Sequence, residues 1–280
     1  MIDSHCHIQF NAYKDDADAV IKKCQERGVL MNCVGSQMDT SIRAVEYAEK
    51  YPDIYATVGL HPIHLFSTEV DEEETKFTSR EEKFDYEEYK KLASHPKVIG
   101  IGECGLELFH LPKSSNKEEI LEKQREGFLL QYKLAKELNL PLVIHVRDAH
   151  LEMIELLRSL GMSTIKAVVH CFTGNWQYAK QYLDLGLYLG FTGVITFPAK
   201  KTNPKPQEEI LEVIAKYQMD RILIETDAPY LAPQAYRGKR CEPWMVVEVA
   251  KKIAEVRGFG LEEVVKITEE NTRRLFDKIK

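Results

Sequence analysis

The sequence predicts an α/β chain of the (β/α)8, or TIM-barrel, class, and three observations predict it. Eight short β-branched or aliphatic runs recur along 280 residues, and most are followed by a segment with helical spacing of apolar residues. Eight is the number of parallel strands that closes such a barrel, whose ordinary size is about 250 residues. No internal repeat and no Gly/Ser- or Pro-rich linker divides the chain, so residues 1–280 are expected to form one domain.

In chain order, the first strand is expected over Ile2 to Ile8 and the first helix over Asp15 to Arg27. Strands near Leu30 to Gly35 and Tyr55 to Leu60 lead to helices near Asp39 to Lys50 and Tyr86 to Ser94. Val98 to Gly102 leads to a long helix, Lys117 to Leu138, in which Phe128, Leu129, Tyr132, Leu134, Ala135 and Leu138 make the apolar stripe expected to face the sheet. Leu140-Pro141 then punctuates the return to a strand at Leu142 to Val146, followed by a helix at Asp148 to Ser159. Ala167 to His170 precedes a helix at Trp176 to Leu185, and Tyr188 to Thr196 precedes one at Pro206 to Tyr217. The eighth strand, Ile222 to Glu225, is followed by helices near Pro243 to Arg257 and Leu261 to Ile279. Ser67 to Phe84 and Leu111 to Lys117 read as long loops or insertions.

Apolar residues at 44% and charged residues at 29% exclude a fibre, a coiled coil or wholesale disorder. No run approaches the roughly 20 apolar residues of a membrane span, and the chain enters directly into a strand without a basic leader, so a cytoplasmic location without membrane partners is expected. Six scattered cysteines without a C-x-x-C pair predict reduced thiols rather than a zinc knuckle or a disulfide framework. Cys6, Cys104 and Cys171 adjoin His5, His7, Glu103 and His170; by strand alternation these sulfurs are expected to face the helix layer. The net charge of −6 argues against a polyanion substrate, but ten acidic residues against three basic ones fall between Glu69 and Glu88, which leaves the rest of the chain at about +1. That acidic run reads as a solvated loop or helix face.

His5 and His7 are spaced i, i+2, so on a strand they share one face and can grip one ion. Alone this is a modest signal. Asp3 is expected on the same face, better placed to orient a ligand than to be one. Glu103, His145, His170 and Asp227 terminate the fourth, fifth, sixth and eighth strands, whose ends open on the one face where barrel active sites are built. A structural hydrogen-bond network could satisfy one or two such groups, because burying them unpaired is costly. Six nitrogen and oxygen donors together fit two divalent ions, Mg, Mn or Zn. Glu103 is the expected bridge, with His5, His7 and Asp227 on one ion and His145 and His170 on the other. Asp227 and Glu103 are the expected catalytic carboxylates, Asp227 orienting the nucleophile and taking its proton. Glu225, on the face of Asp227, is expected to hold a further metal or water or to hydrogen-bond a neighbouring ligand.

Seven motifs in order carry a resemblance: Asp-Ser-His-Cys-His at 3–7, Gly-Leu-His-Pro at 59–62, Gly-Glu-Cys-Gly-Leu at 102–106, Ile-His-Val-Arg at 144–147, His-Cys-Phe-Thr-Gly at 170–174, Glu-Thr-Asp-Ala-Pro-Tyr-Leu at 225–231 and Arg-Gly-Lys-Arg at 237–240. Over essentially its whole length the chain resembles the TatD-family metal-dependent deoxyribonucleases of the amidohydrolase superfamily. The resemblance carries the family's metal positions onto the same six residues. It implies hydrolysis of DNA phosphodiesters, from the 3′ end of single strands, by a hydroxide bridging two ions. The chain departs from the family pattern at Glu107, where Asp is common, and at Cys241, where Asn is common. For the phosphates, His61, Arg147, Arg237 and Lys239 are the expected contacts, with Arg240 and, less directly, Lys200, Lys201 and Lys205. The alternatives are an ester or amide hydrolase, such as an aminoacyl-tRNA deacylase, using the same metals, and a binding module whose metals are structural. No protein partner is indicated.

Overall fold

The computed structural model describes residues 1–67, 69–72, 75–111, 116–161 and 166–280; for 69–72 and 75–77 it describes the backbone alone. Eight parallel strands form one sheet in chain order: β1 (Ile2–Cys6), β2 (Leu30–Val34), β3 (Ile54–Val58), β4 (Val98–Glu107), β5 (Leu142–Arg147), β6 (Ala167–Val169), β7 (Tyr188–Phe191) and β8 (Ile222–Ile224). The helices α1 (Ala17–Gln25), α2 (Met38–Lys50), α3 (Tyr86–Ala93), α4 (Lys117–Leu138), α5 (His150–Ser159), α6 (Trp176–Asp184), α7 (Lys205–Lys216), α8 (Val246–Arg257) and α9 (Leu261–Leu275) alternate with them.

The seam between β1 and β8 is closed by a single bridge, Cys6 with Ala228, and by the bonds His7 N to Ala228 O (2.7 Å) and Asp227 N to His5 O (2.9 Å). Asp3 supplies what the short ladder lacks. Its carboxylate accepts from Thr226 N (2.9 Å) and Thr226 Oγ1 (2.6 Å), and the Ser4 hydroxyl donates to Ile224 O (3.0 Å). The expectation that Asp3 shares the face of His5 and His7 is corrected. Between Asp3 (paired with Met31) and Cys6 (paired with Cys33) the register shifts by one residue. Such a bulge reverses which face the following side chains take.

One core lies between sheet and helices; a second fills the barrel. Ile2, Tyr55, Ile99, Val143, Val168, Tyr188 and Leu223 point inward from seven strands and pack on Leu275, Phe276 and Ile279 at the end of α9. Burying a side chain such as Phe276 stabilises by about 1.5–3 kcal/mol. The plug closes the barrel at its N-terminal end, so the interior opens only at the C-terminal mouth.

Four element expectations change. β4 runs to Glu107 instead of ending at Gly102, because Gly105 lets β5 approach closely: a Cβ there would stand 2.8 Å from the carbonyl carbon of His145. The seventh strand ends at Phe191, and Gly193–Thr196 form a 3-10 turn, where a Cβ on Gly193 would meet Pro233 N at 2.9 Å. On α4, Leu129 is 39% exposed and the face toward the sheet carries two buried glutamines, Gln124 and Gln131. Finally, in the segment from Ser67 to Phe84, Glu69–Glu72 pairs antiparallel with Thr75–Thr78, a hairpin rather than a loop or helix. Residues 68 and 73–74 of this segment, and 112–115 of the expected insertion at Leu111 to Lys117, lie outside the described residues. No described helix is long and apolar enough to cross a membrane.

Candidate metal centre

At the mouth, six side chains from five strands and their ends meet. His5 and His7 leave β1 through the bulge, with their Nε2 atoms 3.3 Å apart. Asp227 follows β8 in a left-handed conformation (φ 58°), which turns Oδ1 to 3.3 Å from His7 Nε2 and 3.7 Å from His5 Nε2. Glu103, within β4, faces two ways. Its Oε2 lies 3.5 Å from His5 Nε2, and its Oε1 lies 2.6 Å from His170 Nε2 and 3.0 Å from His145 Nδ1. The six residues expected from sequence are therefore brought together, and a seventh joins them: His61 Nε2 is 3.4 Å from Glu103 Oε1.

Where a ring has an outer partner, that partner decides what the ring offers inward. Val34 O accepts from His7 Nδ1 (2.7 Å), which leaves the Nε2 lone pair facing the centre. Glu107 Oε2 holds His145 Nε2 (3.1 Å), so Nδ1 of that ring points in, and Glu225 Oε1 stands 3.5 Å from His170 Nδ1. His61 is built the opposite way. Its Nδ1 accepts from Ile63 N (3.1 Å), which assigns the proton to Nε2 and makes the ring a donor toward the centre. Although its nitrogen falls within metal-cluster distance of Glu103 and His145, it suits an oxyanion rather than a cation.

The charges agree with this arrangement. Burial opposes ionisation of Glu103, but His170, His61 and His145 outweigh it and hold the carboxyl well below its usual range. Asp227 is likewise held low, because His7 and the neighbouring imidazoles of His170 and His5 outweigh burial. For His170, burial works against the charge and loses to Glu103 and Glu225, which raise its pKa well above the ordinary value, so an ion taken there displaces a proton. Burial, and then His145, lower His61, so it is neutral at pH 7.

The donor set fits divalent ions. Two ligand nitrogens about 2.1 Å from one ion lie roughly 3.0–3.4 Å from each other, the separation of His5 and His7. Three-donor groups form around His5, His7 and Asp227 and around His5, Glu103 and His170. With Nδ1 committed to Val34 O, His7 turns its Nε2 lone pair into that gap.

The other expected residues divide. Glu225 points inward, but its oxygens are occupied: Oε1 accepts from Cys171 N (2.5 Å) and Oε2 from Ser4 Oγ (3.2 Å). It stands 3.5 Å from His170 Nδ1 and ties Ser4 of the seam. Arg147 stacks on Phe109 with Cζ 3.9 Å from the ring centroid, and Arg237 on Phe197 at 4.4 Å. Lys239 is exposed beside Tyr236, Glu242 and Trp244. Arg240 turns away from any substrate, donating to Ala12 O (2.5 Å) and to both oxygens of Asp16 (2.9 and 2.6 Å). Lys200 and Lys201 are exposed, and Lys205 pairs with Glu209 at 3.5 Å. Cys6 and Cys104 face the helix layer as expected, whereas Cys171 does not. Its backbone is left-handed (φ 44°), its Sγ lies 3.4 Å from Thr192 Oγ1, and burial, then the charge of Asp227, push the thiol up to about 12.

Glu107 and the glutamines of α4 carry structural duties that sequence reading missed. Gln124 pairs with both N and O of Glu107 (3.0 and 2.9 Å), and Gln131 with both N and O of Leu60 (2.9 and 2.9 Å). Each replaces a missing strand neighbour at the mouth. The signal available was two polar residues seven apart inside an otherwise apolar helix face.

The comparisons agree with the fold. Residues 2–277 match the family model described as TatD related DNase. The metal-dependent hydrolase YabD of Bacillus subtilis (strain 168) is 37% identical over 277 residues, 99% of this chain and 98% of that protein. The 3′-5′ ssDNA/RNA exonuclease TatD of Erwinia tasmaniensis is 33% identical over 283 residues, 99% of this chain and 100% of its own length. The crystal structure of YJJV, a TatD homologue from Escherichia coli K12, superposes with a TM-score of 0.81 at 28% identity, covering 99% of this chain and 98% of the other. Barrel, donor set and kinship converge, and the chain belongs to the TatD-related DNase family of metal-dependent hydrolases.

Proposed function

We propose that the protein is a two-metal phosphodiesterase that removes nucleotides from the 3′ end of single-stranded DNA or RNA. One observation carries the reading: the two oxygens of Glu103 address different donor groups, Oε2 the side of His5, His7 and Asp227, and Oε1 the side of His145 and His170. Those residues would hold one ion each side of a shared carboxylate. Bound there, divalent ions act as Lewis acids toward phosphate oxygens and lower the pKa of water.

The remaining chemistry belongs to the chain. Asp227 stays ionised at neutral pH and, with Oδ1 toward His7, keeps Oδ2 as the acceptor for the nucleophile's proton. His61 donates from Nε2 to a phosphate oxygen. Arg147 and Arg237 supply guanidinium groups at the rim, and Lys239 adds charge further out. The activity by which the Erwinia tasmaniensis relative is named supports the substrate class. A Glu bridge, where many amide-cleaving barrels use a modified lysine, favours phosphoesters over the deacylase alternative.

The test is a parallel screen of 3′-labelled single strands, aminoacyl esters and cyclic amides with Mg, Mn or Zn, coupled to metal analysis. Two ions per chain and 3′ trimming of single strands are expected, with Glu103→Ala and Asp227→Asn each abolishing turnover. Turnover of esters or amides alone, or persistence of nuclease activity in both variants, overturns the reading.

A further inference from the structure

Among the described residues, six large hydrophobic side chains are exposed; Ile42, Leu129, Leu130 and Leu151 lie on helices, and Phe259 lies between α8 and α9. The sixth, Phe109, stands at the mouth, 55% exposed, just beyond β4. Its position is built. Phe109 N donates to Glu107 Oε1 (2.6 Å), and the other oxygen of that carboxylate orients His145. The ring is thus linked to the metal centre through one side chain. Behind it lies the Arg147 guanidinium at 3.9 Å, and the His110 ring abuts it edge-on at 4.8 Å and 83°. With one face and one edge covered, the exposed part of the ring is its opposite face.

A second Arg–Phe pair lies across the mouth with the order reversed, its guanidinium exposed and its ring half-buried. Arg237, beyond β8, lies over Phe197, beyond β7, at 4.4 Å, and Gln234 N bonded to Thr196 Oγ1 (2.8 Å) ties the two loops together. In an eight-stranded ring, the β4–β5 and β7–β8 ends stand three places apart, well separated around the opening.

We propose that the Phe109 ring backed by Arg147, and the Arg237 guanidinium lying on Phe197, are two base-stacking platforms flanking the metal centre, each taking an unpaired nucleobase. The inference rests on the nuclease reading and deepens it by stating how single strands are selected. An aromatic face accepts any base, so the platforms are indifferent to sequence. A base must leave its duplex neighbours to occupy one, so paired strands are excluded without any contact to the second strand. The backing Arg holds the ring in place before substrate arrives, so less rotamer freedom is lost on binding.

The experiment compares hydrolysis of an oligothymidylate with that of the same oligomer carrying tetrahydrofuran abasic residues at its two 3′-terminal positions. Wild-type protein is expected to favour the base-bearing strand, and Phe109→Leu to lower that preference about tenfold, mainly through KM. Phe197→Leu is expected to act in the same direction. Phe259→Leu, which removes an Arg-flanked phenylalanine far from the mouth, leaves the preference unchanged. Equal rates on both oligomers, or a preference that survives Phe109→Leu, overturn the platforms while the nuclease reading stands. Cleavage of neither oligomer with any metal overturns both.

Discussion

Gly190→Ala tests whether the outer carboxylate, and not only the donors it supports, sets metal affinity. A Cβ on Gly190 would stand 2.5 Å from Cδ of Glu225 and 2.7 Å from its Oε1, where ordinary contact begins at 3.4 Å. The carboxylate must therefore withdraw by roughly 1 Å. That movement stretches the bond from Cys171 N, now 2.5 Å, to the limit of a hydrogen bond, and it carries Oε1 away from His170 Nδ1, now at 3.5 Å. Losing one charge-assisted bond in a buried setting costs about 1.5–3 kcal/mol. Losing the outer partner of a ligand histidine lowers metal affinity about 10- to 100-fold. Urea unfolding should record the first effect, and calorimetric titration with Mn or Zn the second. In the double variant Gly190→Ala, Glu225→Ala the methyl has nothing to displace, so the glycine change should add little to the loss from Glu225→Ala alone. Wild-type affinity and stability in Gly190→Ala, or full additivity in the double variant, would refute the reasoning.

Two further outcomes follow from the same reading of the structure. Gln124→Leu strands both N and O of Glu107 in a buried site and should cost about 2–4 kcal/mol in urea unfolding; a loss below about 1 kcal/mol would mean that water reaches that strand end. Burial, and then His145, hold His150 down at about 4 against 6.5 in the unfolded chain. A histidine lowered in this way is neutral in the fold while the unfolded chain takes up a proton, so its contribution is complete above about pH 6.5 and is lost as pH falls toward 4. The window is worth about 3 kcal/mol, and replacing the ring with His150→Phe should flatten the stability curve between pH 6.5 and 4; an unchanged slope would place the acid sensitivity elsewhere.

Much of the fold was legible because its signals are local. Lys117–Leu138 is the helix the spacing predicts, with Asn116 as a cap accepting from Glu118 N (3.0 Å) and Asn139 left-handed at its end. Where prediction failed, a distant backbone had intervened. The fourth strand passes through Gly102 and Gly105 because β5 pairs with it as far as Arg147, and the seventh stops at Phe191 because the 231–233 segment crowds Gly193. Leu129 reads as core by composition yet faces solvent, since Gln124 and Gln131 are needed where strand ends lack neighbours.

The site divides along the same line. By itself the sequence determined the barrel class and the six donors at strand ends, because a two-residue alternation and the motifs from His5 to Asp227 are properties of short segments. Only the tertiary structure decided that a bulge turns Asp3 from the mouth to the seam, that Glu107 and Glu225 orient His145 and His170, and that Ile63 N makes His61 a donor. Those outcomes depend on register and on which backbone group each ring meets. A one-residue slip or a single backbone amide reverses them, and neither leaves a mark in the residues it acts upon.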